Sequence, residues 1–200
     1  MDEKELIGKA KSGDFEAFMR LVDAHKDKVY GMIRRLAGNS QDAEDVMQDS
    51  LLQAIDKIDQ FKGESSFGTW LYSIALNMVR AEFAKRKQVD LKPIEEYLPK
   101  TTDGHSHDHA DTKLFDWKDP LKLMESKQLG KLIDTVIDEL PFKYREVFLL
   151  RNVEEFSIKE IARLIKQSEA SAKSRILRAR LAMRDKLSKE LEAENGRKLS

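Results

Sequence analysis

Wherever apolar residues repeat in this 200-residue chain they do so at steps of three and four, and no window sustains an alternation of apolar and polar residues. That period belongs to helices with one buried stripe. It is clearest between Asp42 and Lys87, where Ala43, Val46, Met47, Leu51, Ala54, Ile55 and Ile58 make a first stripe. A short loop follows from Phe61 to Phe67, with its one glycine at Gly63, and then Phe67, Trp70, Leu71, Ile74, Ala75 and Met78 make a second. Nine glycines and four prolines are too few to punctuate a series of short strands. The fold class expected is therefore all-α.

The rest of the chain extends the pattern on both sides. Asp2 to Ser12 reads as a short helix ended by Gly13, and Asp14 then caps a long one, with Phe15, Phe18, Leu21, Val22, Val29, Ile33 and Leu36 inward and Gly38 as its stop. His25 lies beside that stripe and is assigned no role. After Lys87 the period lapses, and Pro93, Pro99, Gly104 and the run TTDGHSHDHADT mark a linker too long for a compact domain. Helix resumes at Asp119 and Pro120, an N-cap followed by a first-position proline, and Leu121, Met124, Leu129, Leu132, Ile133, Val136 and Ile137 carry it to Leu140. Pro141 breaks it, Phe142, Val147, Phe148 and Leu150 form the next, and Ser157 with Glu160 makes a capping box that opens SIKEIARLI. A turn, KQS, leads to a helix from Glu169 to Leu187 with Ala172, Ile176, Ala179, Met183 and Leu187 on one face. The expected architecture is two small helical domains, 1–90 and 120–190, joined by a flexible linker over 91–119 and followed by a tail, 191–200.

Net charge is zero, with 36 basic and 36 acidic residues, but the sum conceals a segmentation. Basic minus acidic residues give −4 for 1–60, +3 for 61–92, −5 for 93–141, +7 for 142–189 and −1 for the remainder. Two basic patches flank an acidic spacer, so the chain is built to meet nucleic acid at two places and to be held weakly by free DNA.

Each patch sits on a helix with a polar face. Ser73, Asn77, Arg80, Ala84 and Lys87 recur at steps of four and three, with hydrogen-bonding groups first and positive charge last. Ser171, Lys173, Ser174, Arg175 and Arg178 crowd the first half of the last helix, just after a short helix and tight turn. That is helix-turn-helix spacing, in which the start of the second helix enters the major groove. On the helix before the loop, Asp42, Asp45, Asp49 and Asp56 lie off the buried stripe and form either a solvated acidic face or a docking surface for a basic partner.

Other classes find less support. With no cysteine, disulfides and thiolate metal sites are excluded, and no segment reads as a secretory signal or a membrane span, so a cytoplasmic location without membrane insertion is expected. His105, His107 and His109 alternate in the linker, a spacing able to hold zinc or nickel in an extended segment, but a solvated tether is the simpler reading. No H-E-x-x-H, phosphate-cradling glycine loop or nucleophile elbow appears, so neither an enzymatic activity nor a cofactor is expected.

The run D-A-E-D-V-x-Q, the loop F-x-G-E-S-S-F and the stretch T-W-L-Y-x-I-A-x-N together resemble region two of the extracytoplasmic-function (ECF) sigma factors of bacterial RNA polymerase. The segment LPFKYREVFLLRNVEEFSIKEIARLIKQSEASAKSRILRARLAMRDKL is similar to region four of that family. The resemblance implies that the Asp42 to Ile58 helix grips core polymerase through Asp42, Asp45, Gln48, Asp49 and Asp56. It implies that the loop and following helix melt the promoter and read its minus-ten element through Phe61, Lys62, Ser65, Phe67, Trp70, Ser73, Asn77, Arg80 and Lys87. Ser171, Lys173, Ser174, Arg175 and Arg178 are then the minus-thirty-five contacts, and an anti-sigma factor is a further implied partner. The chain departs from the family at the turn, where Lys166 and Gln167 stand in place of the usual glycine and apolar residue, and at Ala172, where a larger aliphatic is usual. The alternative is a free-standing helix-turn-helix regulator, which binds an operator tightly without polymerase.

Overall fold

The structure, a computed structural model, describes residues 2–86 and 127–198, and among these it contains helices, turns and loops but no strand. The expected linker, its three histidines, Lys87 and the helix start at Asp119 and Pro120 lie outside the described residues. Five helices precede the gap: α1 (Glu3–Lys11), α2 (Phe15–Asp23), α3 (Lys26–Ala37), α4 (Ser40–Lys57) and α5 (Phe67–Arg86), with a single 3-10 turn, Ile58–Gln60, after α4. Four follow it: α6 (Lys127–Asp138), α7 (Phe142–Asn152), α8 (Ile158–Leu164) and α9 (Glu169–Lys198).

In the first half α3, α4 and α5 pack side by side, and the α1–α2 hairpin closes one end. Val29, Ile33, Leu36, Ala43, Ala54, Phe67, Leu71 and Ala75 fill the space between them. Local chemistry sets the boundaries. Asp14 accepts the backbone N–H of Ala17, Asn39 that of Asp42, and Gly38 ends α3 in the left-handed region at φ +84°.

The single helix expected between Asp14 and Gly38 is instead two. The chain breaks at Ala24 and His25, where His25 takes φ −128° and ψ −16° and turns its ring onto α5, 6.1 Å from the ring of Phe67. The neighbouring Gly68 makes this approach possible, because a Cβ there would lie 2.8 Å from the imidazole. Phe15, expected inward, is 61% exposed: it occupies the first position of α2, ahead of the buried Ala17, Phe18, Leu21 and Val22.

In the second half α9 is the spine against which α6, α7 and α8 pack, with Val147, Leu150, Ile161, Ala172, Ala179 and Met183 at the centre. The predicted capping box is present, Ser157 accepting the N–H of Glu160 while the Glu160 carboxylate accepts the N–H of Ser157. After α8, Lys166 adopts φ +55° and Gln167 donates back to the carbonyl of Ala162, closing the turn that glycine would form without strain. The last helix runs on to Lys198 rather than stopping near Leu187, since the residues that follow are mostly helix formers.

The two halves touch: α5 packs on α8, and α3 on α7. Phe83 stacks on Phe142 with ring centroids 4.5 Å apart, and Tyr72 meets Phe156 edge to face at 5.0 Å.

Candidate nucleic-acid interface

On α4 the helical repeat brings Asp45, Gln48, Asp49 and Asp56 onto one exposed strip, whereas Asp42, at its edge, is half-buried and accepts a hydrogen bond from the Asn39 side chain. In the middle of the strip stands Leu52, 63% exposed. Its exposure is the feature that periodicity missed, because a leucine off the buried stripe carries no mark in the sequence. An acidic strip with an apolar centre suits a partner surface that is basic around a hydrophobic pocket.

The loop before α5 is tethered at several points. Ser66 caps the helix by accepting the N–H of Thr69 at 3.1 Å, and Glu3, from the far end of the chain, accepts the N–H of Phe67 at 3.1 Å. Two candidate DNA contacts are corrected here. Phe61 and Phe67 are 4% and 0% exposed and lie in the core, their rings meeting edge to face 6.2 Å apart. Trp70, half-buried, rests on both, at 5.2 and 5.6 Å, so the buried pair forms a rigid bed that holds the indole at the surface. Lys62 is exposed and Ser65 half-exposed at the same end of the helix.

Ser73, Asn77 and Arg80 share one face of α5, as the sequence predicts, but each is half-buried. Asn77 accepts a hydrogen bond from Arg80 at 3.2 Å. The Arg80 guanidinium also donates from Nε to Glu146 at 2.8 Å, forms an ion pair with the same carboxylate through Nη2, and donates to the carbonyl of Leu164 at 3.0 Å. Burial pushes the Glu146 carboxyl up, and the charge of Arg80 opposes that shift. Two turns earlier the Tyr72 hydroxyl donates to Glu154, and its burial together with that bond raises its pKa far above the usual phenol range. Neither Tyr72 nor Glu146 could be found from periodicity, since their partners lie in the other half of the chain.

On α9, Lys173, Ser174 and Arg178 are exposed on the face opposite the buried Ala172, Ile176 and Ala179. Ser171 is half-buried near the helix start, where the Ser168 hydroxyl accepts its N–H at 3.1 Å. Arg175 sits on the flank, near enough to Glu146 for its charge to favour that carboxylate. Between Lys173 and Arg178 the helix presents Leu177, 57% exposed, which the sequence reading passed over. Donors and one apolar side chain on a free helix face match what base edges and thymine methyls offer in a major groove.

Comparison with known proteins finds the same two-part organisation. Residues 21–89 match the family model for Sigma-70 region 2, and residues 130–183 that for Sigma-70, region 4. The chain is 34% identical over 184 residues to the ECF RNA polymerase sigma factor SigW of Bacillus subtilis (strain 168), covering 92% of this chain and 96% of that protein. The solved structure of CnrH in complex with the cytosolic domain of CnrY superposes with a TM-score of 0.64 at 23% identity, covering 93% of this chain and 97% of that one. The sigma factor RpoE, solved in complex with the anti-sigma factor NepR from Bartonella quintana, gives a TM-score of 0.60 at 20% identity, over 86% and 96% of the two chains. These two likenesses show the fold.

Proposed function

This chain belongs to the ECF sigma factors of the sigma-70 family, and from that premise we propose how its surfaces divide the work of starting transcription. It binds core RNA polymerase and directs promoter-specific initiation. The carrying observation is that both sigma-70 regions occur in order, in a chain 34% identical along nearly its whole length to a sigma factor. Family membership disfavours a free-standing regulator.

In this reading α4 docks on core polymerase through Asp45, Gln48, Asp49, Leu52 and Asp56, with Asp42 at the margin. Lys62, Ser65, Trp70, Ser73, Asn77 and Arg80 meet the minus-ten element as it opens, the indole stacking where a base leaves the helix. Phe61 and Phe67 act from beneath by fixing Trp70. Ser171, Lys173, Ser174 and Arg178 meet the minus-thirty-five duplex, with Leu177 among them and Arg175 at the edge. The protein works by binding and strand opening, with no covalent step of its own. Its place is the cytoplasm with the polymerase, and among the described residues no helix is long and apolar enough to cross a membrane. A relative of the same fold is held by an anti-sigma factor, and such an inhibitor belongs to this reading too.

Run-off transcription with core polymerase on a pool of genomic fragments, with and without the protein, tests it. Transcripts from a defined subset of fragments that depend on the added chain are expected. Tight binding of the free chain to one operator, with no such transcripts, would return the regulator to favour.

A further inference from the structure

Lys166 closes the turn between α8 and α9 with its backbone at φ +55°, in the left-handed region where a Cβ is disfavoured. Main-chain atoms alone hold that turn: the N–H of Lys166 donates to the carbonyl of Arg163, and that of Gln167 to the carbonyl of Ala162. The lysine side chain is exposed and, among the described residues, makes no hydrogen bond or ion pair. A strained backbone carrying a side chain that the fold does not use points to a task outside the fold. The other described non-glycine residue with positive φ, Glu155 at +57°, precedes α8 and lines no part of the surface around Lys166. Arg163 and Lys159 lie one and two turns back from Lys166, both exposed and likewise without ion pairs among the described residues. Arg163 is near enough to Glu160 for its charge to favour that carboxylate, which is itself engaged by Ser157. Between α8 and the start of α9 runs an open cleft lined by these three cations with Gln167, Ser168 and Glu169, so positive charge prevails over its single carboxylate.

We propose that the cleft of Lys159, Arg163 and Lys166 holds a backbone phosphate of the promoter duplex beside the minus-thirty-five element, and that Lys166 keeps its strained conformation for that contact. The inference rests on the reading of α9 as the minus-thirty-five helix. Lys173, assigned there to the duplex, stands one helical turn, about 6 Å, along α9 from Glu169 at the edge of the cleft. A phosphodiester offers a negative charge and several acceptor oxygens, which three cations and the polar side chains of Gln167 and Ser168 can meet together. Such a contact reads no base. It adds affinity that falls with salt and fixes the register in which Lys173, Ser174 and Arg178 meet the groove. An acidic protein surface would meet the same cations, but the continuity of the cleft with the start of α9 favours the duplex.

The test uses holoenzyme assembled from core polymerase and the full-length chain, on a duplex promoter drawn from the run-off pool, with the dissociation constant measured across a salt series. Lys166→Gln removes the charge and keeps a side chain on the strained backbone; it should weaken binding and lower the salt slope by about one. Lys166→Arg keeps the charge and should keep the parental slope. Lys166→Gly relieves the strain, so it should raise the melting temperature by about 2 to 4 °C while lowering the slope as Lys166→Gln does. A lysine that serves only the fold cannot give these opposite signs. Unchanged slopes in the Gln and Gly variants, or a slope in the Arg variant that falls with them, would overturn the contact. A lower melting temperature for Lys166→Gly would show the lysine serving the turn and overturn the account of its strain. Loss of transcription at an unchanged slope would assign the cleft to an acidic protein surface and overturn the proposal as well. If the parent chain directs no transcripts with core polymerase, the family reading itself fails and this contact with it, an outcome distinct from normal transcription with unaltered slopes.

Discussion

Glu3 and Phe67 stand 64 residues apart in sequence, yet the carboxylate of one accepts the backbone N–H of the other at 3.1 Å. The first turn of the chain thereby satisfies the first turn of α5, whose opening N–H groups have no partners within the helix. Glu3→Ala should cost about 1 kcal/mol, the usual size of a lost helix cap, and lower the melting temperature by about 2 to 4 °C. An unchanged melting temperature would mean that water replaces the carboxylate at no cost.

Gly68 and His25 make a stricter pair. A methyl group at Gly68 would fall 2.8 Å from two atoms of a ring that is itself held against Phe67. Gly68→Ala is expected to destabilise the chain by about 1 to 3 kcal/mol, the range for overpacking. Combining it with His25→Ala should restore most of that loss in urea unfolding, as coupled neighbours do. Additive losses in the double variant would place the strain elsewhere.

The capping box titrates. The hydroxyl and N–H of Ser157 hold the Glu160 carboxyl below its usual value of 4.5. Since the folded pKa is the lower one, its stabilisation is fully present above the unfolded value and is lost as pH falls through that value to the folded one. The effect is small, because the carboxylate is largely exposed and screened by solvent. Urea midpoints followed below about pH 5 should fall less steeply for Glu160→Gln than for the parent chain. Parallel slopes would contradict the assignment.

The two helices proposed to meet DNA should fail differently. In the proposed division Arg178 and Lys173 meet duplex DNA, so Arg178→Ala and Lys173→Ala should each weaken initial promoter binding by about 1 to 3 kcal/mol if bidentate to guanine, or lower the salt slope by about one if on phosphate. Trp70→Ala and Asn77→Ala should leave that affinity nearly intact and reduce permanganate-reactive thymines in the bubble. A template mismatched open in advance should rescue Trp70→Ala and leave Arg178→Ala impaired. Equal rescue of both would remove the division of labour.

Helices, caps and the stripe of α9 were legible because they depend on neighbours within a few residues: Asp14, Ser157 with Glu160, and the run Ala172, Ile176, Ala179, Met183 all stand as read. At the turn the sequence shows a lysine where the family has glycine, and Lys166 takes φ +55° there at a cost of about 1 kcal/mol. What stayed hidden depends on distant residues. The break at His25 needs Gly68, and the burial of Tyr72, Leu76 and Val79 follows from packing that a single stripe on α5 does not foretell. A polar face of Ser73, Asn77 and Arg80 looks the same in sequence whether water, DNA or Glu146 lies beyond it.

Between Phe67 and Arg80 no residue of α5 is fully exposed, whereas on α9 Lys173, Ser174, Leu177 and Arg178 project with no packing duty. The two helices therefore differ in how freely they can change over evolutionary time. On the proposed reading, a substitution among the exposed positions of α9 alters contact with DNA and little else, so minus-thirty-five preference can drift by single steps at almost no cost in stability. On that same reading a change along α5 disturbs the bundle, the contact with α8 and the melted strand together. Divergence in promoter choice among close relatives of this chain should therefore accumulate on α9 first, with α5 held nearly constant by the several tasks it performs at once.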